Sequence, residues 1–244
     1  MSLTMNSLMG ELRQTGRYNL YLMLGLSAAF SCLMVVLRPL RYDGIAFGSL
    51  IWDVFLAAVP FAISQFMWLR PAKSTPMLFA GLFFWLLFFP NAPYLLTELK
   101  HIASLAPAAA IDQDPFWFDL VLLLSFAWTG LMLGHLSLLE VHRIVDERFG
   151  IGYGWIFAVS AVVLGSFGIY VGRFLRWNSW DVFIHPYGLV SDIADQLLHP
   201  WRGPSIYGVT LLFSIFLMLA YLVLRSMLQA EIGRAEPAAV AERG

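Results

Sequence analysis

The chain has 244 residues, of which 59% are hydrophobic and only 13% charged, about half the charged share of a soluble domain. A net charge of −1 argues against nucleic acid as a partner and against a polybasic lipid sensor. Cys32 is the single cysteine, which excludes an intramolecular disulfide and a cysteine-based metal knot.

Apolar runs long enough to cross a hydrocarbon core of about 30 Å recur along the chain. Six are visible: about Asn19–Leu37, Gly48–Leu69, Met77–Phe89, Phe116–Leu139, Tyr153–Gly172 and Ser205–Leu224. The third spans only if its helix continues past Pro90. Nothing alternates with barrel period, and lipid tolerates only a backbone satisfied internally. The expected fold is therefore all-α, a polytopic membrane protein with about six transmembrane helices. One embedded domain over residues 1–228 is followed by an Ala/Glu-rich tail, 229–244, that reads as disordered.

Arg13 and Arg17 precede the first run, but it exceeds a signal-peptide hydrophobic region and no A-x-A site follows it, so it reads as a retained span. Cys32, within that run, reads as a small packed hydrophobe. Six spans put nine Lys and Arg on the side of both termini and six on the other. That bias places both termini in the cytoplasm.

Three segments carry chemistry. The first is "LLFFPNAPYLLTELKH", Leu86 to His101. Proline favours the first helical position and the residue before it avoids the α region, so the third helix is expected to break at Pro90–Pro93, with Ala92 as cap and Pro93 opening a new helix. Tyr94, Glu98 and His101 then stand at i, i+4, i+7, within about 40° of one another. Asn91 is free to brace the break. A phenol, a carboxylate and an imidazole on an otherwise apolar segment need partners.

Asp53 and Asp119 lie inside or at the edge of the second and fourth spans, at the same membrane face as Glu98. His135 and His142 share a face at i, i+7 near the other end of the fourth span, a weak signal. The second segment is "GIYVGRFLRWNSWDVFIHP". Ala161, Gly165, Gly168 and Gly172 form a small-residue face suited to close packing. Beyond it, Arg173 and Arg176 are one turn apart and could clamp an anion with their fork geometry, alongside Asn178. Asn178 or Ser179 caps a short helix with Asp181 in its first turn and His185 at i+4, ended by Pro186. The third segment, Leu189 to Leu197, has apolar residues at i, i+1, i+4, i+8 opposite Asp192, Asp195 and His199, the pattern of an interfacial helix in the fifth loop. Trp177, Trp180 and Trp201 suit an interfacial belt.

Ionisable groups from five segments thus gather at one depth. As a salt-bridge network, Arg173 would pair with Asp119 and Arg176 with Glu98. As an acid/base set, the candidate catalytic groups are Glu98, His101, Asp181 and His185. As an anion site, the candidates are Arg173, Arg176, Asn178, Tyr94 and Asn91. A divalent metal, if one is bound, would fall to Glu98, His101, Asp181 and His185, although E-x-x-H occurs once rather than on two facing helices. A P-loop, a G-x-G-x-x-G and a G-x-S-x-G are absent, which leaves no support for nucleotide chemistry.

The blocks "LFFPNAPYLLTELKH" and "GIYVGRFLRWNSWDVFIHP" resemble the signature blocks of a family of bacterial integral membrane proteins of unknown function. That family shares a proline–asparagine–x–proline–tyrosine break followed by an acid and a histidine, and a later G-R-x-x-R-W-N-S-W-D block. The resemblance covers about Trp52 to Leu224, and Glu98 stands where the family pattern has aspartate. It implies a bacterial inner-membrane location and carries no activity. Three functions fit the residues: a non-catalytic assembly or sensory partner with a structural polar cluster, an enzyme acting on an anionic lipid-like substrate, and an ion-coupled transporter. The partners expected are the bilayer, lipid head groups, and a membrane protein or a second copy.

Overall fold

The computed structural model describes residues 17–42, 47–72, 74–103, 113–199 and 205–241. Arg13, Lys73, Trp201, Arg202 and most of the Ala/Pro-rich third loop lie outside the described residues. The elements are α1 (Arg17–Arg41), α2 (Ser49–Leu69), α3 (Thr75–Phe88), α4 (Asn91–Tyr94), a 3-10 helix (Leu95–Lys100), α5 (Gln113–Phe149), α6 (Ile151–Phe174), α7 (Asp181–Ile184), α8 (Pro186–Leu198) and α9 (Ile206–Ala241). Six helical stretches are long and apolar enough to cross a membrane, the third running from Thr75 through the break to Ala103. The protein is an all-α polytopic membrane protein. Helix α9 continues to Ala241, into the segment that composition reads as a disordered tail; alanine and glutamate, which dominate that segment, are strong helix formers.

Helix α5 is the hub, packing against α1, α2, α4, the 3-10 helix and α6, while α9 lies mainly on α6. Its residues are buried on several sides: Leu122, Leu123 and Phe126 pack toward α1, α2 and Leu95, and Leu138, Val141 and Val145 toward Trp85, Val162 and Tyr221. Peripheral helices turn large apolar side chains outward, including Leu26 on α1 and Leu212 on α9, exposed by 54% and 70%. In water that surface would be a liability; in lipid it is the required exterior.

The third span is where the expected geometry and the observed one differ. The turn falls at Phe89–Pro90 and α4 begins at Asn91, so Pro93 is the third residue of the short helix and not its first. Phe89, before a proline, stays helical at φ −53°, ψ −41°. The reason is hydrogen bonding. A buried backbone cannot open into an extended turn and leave its groups bare. The Ala92 amide bonds Phe89 O at 3.2 Å and the Tyr94 amide bonds Pro90 O at 3.0 Å. With Ala92 diverted, the Phe88 carbonyl loses its usual donor, and the Asn91 side-chain amide fills that role at 2.9 Å.

Two helix faces are cut back to admit this break. A Cβ on Gly130 of α5 would run into the Ala92 carbonyl oxygen and lie 2.7 Å from a Leu95 methyl. One on Gly168 of α6 would lie 2.5 Å from Pro90 Cγ. The small-residue face of α6 therefore receives the broken segment rather than a straight helix. The break is held between α5 and α6, and its downstream 3-10 turn is aimed at the end of α6.

Candidate functional site

Arg173, in the last turn of α6, reaches the 3-10 turn. Its Nη1 donates to Glu98 Oε1 at 2.7 Å and to the Tyr94 hydroxyl at 3.0 Å, and its Nη2 donates to the Thr97 carbonyl at 3.1 Å. Glu98 is buried, and its Oε2 lies 3.2 Å from His101 Nε2. Three residues per 3-10 turn stack i and i+3 directly, which is why Glu98 and His101 meet. The Arg173 Nε is buried with no hydrogen-bond partner among the described residues.

The pairing expected from sequence is corrected in both of its members. Arg173 takes Glu98, and Asp119 takes Arg38. Arg38 Nε bonds Asp119 Oδ1 at 2.7 Å and its Nη2 bonds Oδ2 at 2.9 Å, a bidentate fork with Asp119 fully buried. Geometry of this quality offsets the cost of taking both charges out of water. Arg38 went unrecognised because it stands beside Pro39 at the end of the first run and reads as a loop charge. The usable signal was Asp119 itself, a carboxylate in a span that requires a cation at its own depth.

The two pairs adjoin. The Arg38 guanidinium lies 5.3 Å from the centre of the Phe47 ring, and Phe47 meets the His101 ring edge-on at 5.8 Å. Phe47 holds a left-handed φ of 72°, and so does Arg176 at 61°. Arg176 follows the C-cap of α6, where the left-handed conformation favours glycine. Its side chain is exposed, with no hydrogen bond or ion pair among the described residues. The two arginines of the supposed clamp are thus apart in role: one partly buried and paired with Glu98, one exposed.

Asp181 caps the loop. Its Oδ2 accepts the Asn178 backbone N–H at 2.7 Å and the Asn178 side-chain amide at 3.3 Å. His185 is exposed and 4.0 Å from Asp181, and Pro186 opens α8 instead of only ending α7. His199 Nδ1 sits 3.0 Å from Asp195 Oδ1. Among the described residues no three His, Cys, Asp or Glu side chains gather as a metal shell would require. Glu98–His101 and Asp181–His185 remain separate pairs.

Between the break, the start of α2, the end of α6 and the fifth loop lies a cavity of about 320 Å³. Its polar lining is Asp53, Asn91, Tyr94, Asn178 and Ser179. Leu56, Leu86, Phe167, Val171, Leu189 and Ile193 supply apolar wall, and Trp52 and Trp177 border it. The Asn91 amide bonds the Ser179 hydroxyl at 3.0 Å, joining the break to the loop, and Trp177 Nε1 bonds Asp192 Oδ2 at 2.9 Å. None of Glu98, His101, Arg173, Arg176, Asp181 and His185 lines this space. The side chains most suited to acid/base or anion chemistry stand outside the lining, which the amides, hydroxyls and Asp53 provide instead.

A second polar network occupies the opposite end of the bundle. Arg225 Nη1 donates to His142 Nδ1 at 2.8 Å and to the Tyr221 hydroxyl at 3.2 Å, and Arg225 lies over the Trp155 ring at 4.7 Å. Because an arginine can only donate, His142 Nδ1 carries a lone pair, and its Nε2–H faces Asp146 Oδ1 at 3.4 Å. His135 is buried against the Leu131 and Leu217 carbonyls at 2.8 and 2.9 Å, tying α5 to α9. The two histidines share a face but serve separate contacts.

No curated protein matches this sequence, and no solved structure matches it. A family model described as "Protein of unknown function (DUF1361)" matches residues 52–222, a stretch that begins at the cavity-lining Trp52 and Asp53 and runs into α9. The chain belongs to this family, which is described only as of unknown function.

Proposed function

We propose that the protein is a non-catalytic sensory or assembly component of a bacterial inner membrane that holds a small amphiphile in the cavity beside the broken helix. Both termini face the cytoplasm, and the cavity lies at the extracytoplasmic face. The observation that carries this reading is the division of labour around the cavity. Arg173 and Glu98 neutralise each other behind the lining residue Tyr94, while the lining pairs a polar end with an apolar wall, the usual composition of a small-molecule site. The wall comes from α2, α3 and α6, with Val182 of α7 and Leu189 and Ile193 of α8 closing the loop side.

Native mass spectrometry of the full chain, released from detergent, tests this. The wild type should carry a bound amphiphile or take up added lysophospholipid, and Val182→Trp, which fills the cavity from the exposed loop side, should not. Equal occupancy in both proteins would sink the proposal. Fusions of fluorescent protein or alkaline phosphatase to the C-terminus test the orientation, with fluorescence and no phosphatase activity expected.

A further inference from the structure

We infer that the head group held in this cavity is an ammonium, paired with Asp53; this presupposes the amphiphile cavity proposed above. Asp53 is the one charged side chain in the lining, and among the described residues no hydrogen bond or ion pair engages it. Arg173 is committed to Glu98, Tyr94 and Thr97, and neither Arg173 nor Arg176 reaches the cavity wall.

The neutral lining groups point the same way. The Asn91 amide nitrogen donates to the Phe88 carbonyl, which can only accept, so the orientation of the amide is fixed and its Oδ1 is left open. The Asn178 amide nitrogen donates to the Asp181 carboxylate, which fixes that amide too and leaves its Oδ1 open. Asp53 and these two oxygens form a set of acceptors. A phosphate or carboxylate would meet the Asp53 charge and two amide oxygens, with only the Tyr94 and Ser179 hydroxyls to donate to it and Arg173 already paired with Glu98, whereas an ammonium satisfies all three acceptors. The rings of Trp52, Trp177 and Tyr94 border the same space, and aromatic faces attract ammonium groups. The anion clamp expected from the arginine spacing is therefore replaced by its electrostatic opposite.

An ammonium could arrive on a lipid or as a free amine, and binding to the purified full chain separates these. The probes are dihexanoyl phosphatidylethanolamine, dihexanoyl phosphatidylglycerol with the same tails, and ethanolamine, followed by tryptophan fluorescence and native mass spectrometry. The wild type should prefer the amine-headed lipid to the glycerol-headed one by at least about tenfold, the worth of one hydrogen bond to a charged group. Asp53→Asn should lose that preference without a fall in thermal stability. Asn178→Ala, on the exposed loop, should weaken it and serves if Asp53→Asn does not fold. Ethanolamine binding with the same Asp53 dependence assigns a free amine as the source, and binding only of the tailed amine assigns a lipid. If both lipids bind equally, or Asp53→Asn keeps the preference, the ammonium assignment falls and the amphiphile cavity stands. If neither lipid binds in a manner sensitive to Val182→Trp, both fall.

Discussion

Substituting Gly168 by alanine tests how tightly the broken span is seated. The added Cβ would lie 2.5 Å from Pro90 Cγ and 2.8 Å from Pro90 Cβ. Carbon atoms prefer a separation of about 3.5–4.0 Å, so α6 and the break must part by about 1 Å. The proline ring cannot rotate away, because it is part of the backbone of the turn. Overpacking of this kind costs about 1–3 kcal/mol, against a gain of about 1 kcal/mol from replacing a helical glycine with alanine. The net expectation is a loss of up to about 2 kcal/mol, or up to roughly 8 °C in melting temperature for a chain of this length. Scanning fluorimetry of the full chain in detergent reads it directly. Gly25→Ala, where nothing lies within 4 Å of the new Cβ, should gain or hold stability under the same conditions. A Gly168→Ala protein as stable as Gly25→Ala would refute the seating of the break against α6.

Arg38→Met or Asp119→Leu alone should cost about 3–5 kcal/mol by stranding a buried charge, while the double variant should recover most of it; additive losses in thermal denaturation would contradict the buried pair. Arg176→Gly should stabilise the protein by about 1 kcal/mol, because glycine carries no penalty at the left-handed φ of 61°; a fall in melting temperature would mean that the guanidinium has an unseen partner. At the other end, Arg225→Met should cost about 2 kcal/mol, since it removes the donor to His142 and Tyr221 beside the buried Asp146 Oδ1. Glu147→Ala, which breaks an ion pair with both side chains about two-thirds exposed, should cost no more than about 0.5 kcal/mol. Similar losses for these two would overturn the contrast in burial.

Apolar length and the absence of alternation were enough, from sequence, to fix the class of protein and its six spans, because the bilayer imposes one length and one backbone solution. Local rules also placed the break to within a residue or two and gave the short helix at Asp181, but not its cap: Trp180 holds the cap position with no side-chain cap bond, and Asp181 instead accepts from Asn178. They misjudged the conformation of the break, because the rule for residues before proline describes a solvated chain and Phe89 is packed among Gly165, Trp85 and α5. The 3-10 winding after it was invisible as well, since Leu95–Lys100 carries no pattern distinct from an α-helix.

What spacing along one helix cannot reveal is which charge on another helix answers it. Arg38 and Asp119 are 81 positions apart, and only the crossing of α1 on α5 brings them together. The same packing pairs Arg173 with Glu98 and leaves Arg176 exposed. The sequence of Leu86 to His101 determined by itself that the third span would break and bear a polar stripe, because two prolines remove two backbone donors wherever they stand. Only the tertiary structure decided what that stripe does: the stripe locks to α6, and the space left beside it is lined by Asp53, Asn91 and Asn178. Local chemistry is set by residue type, and the choice of partner is set by which helix faces meet.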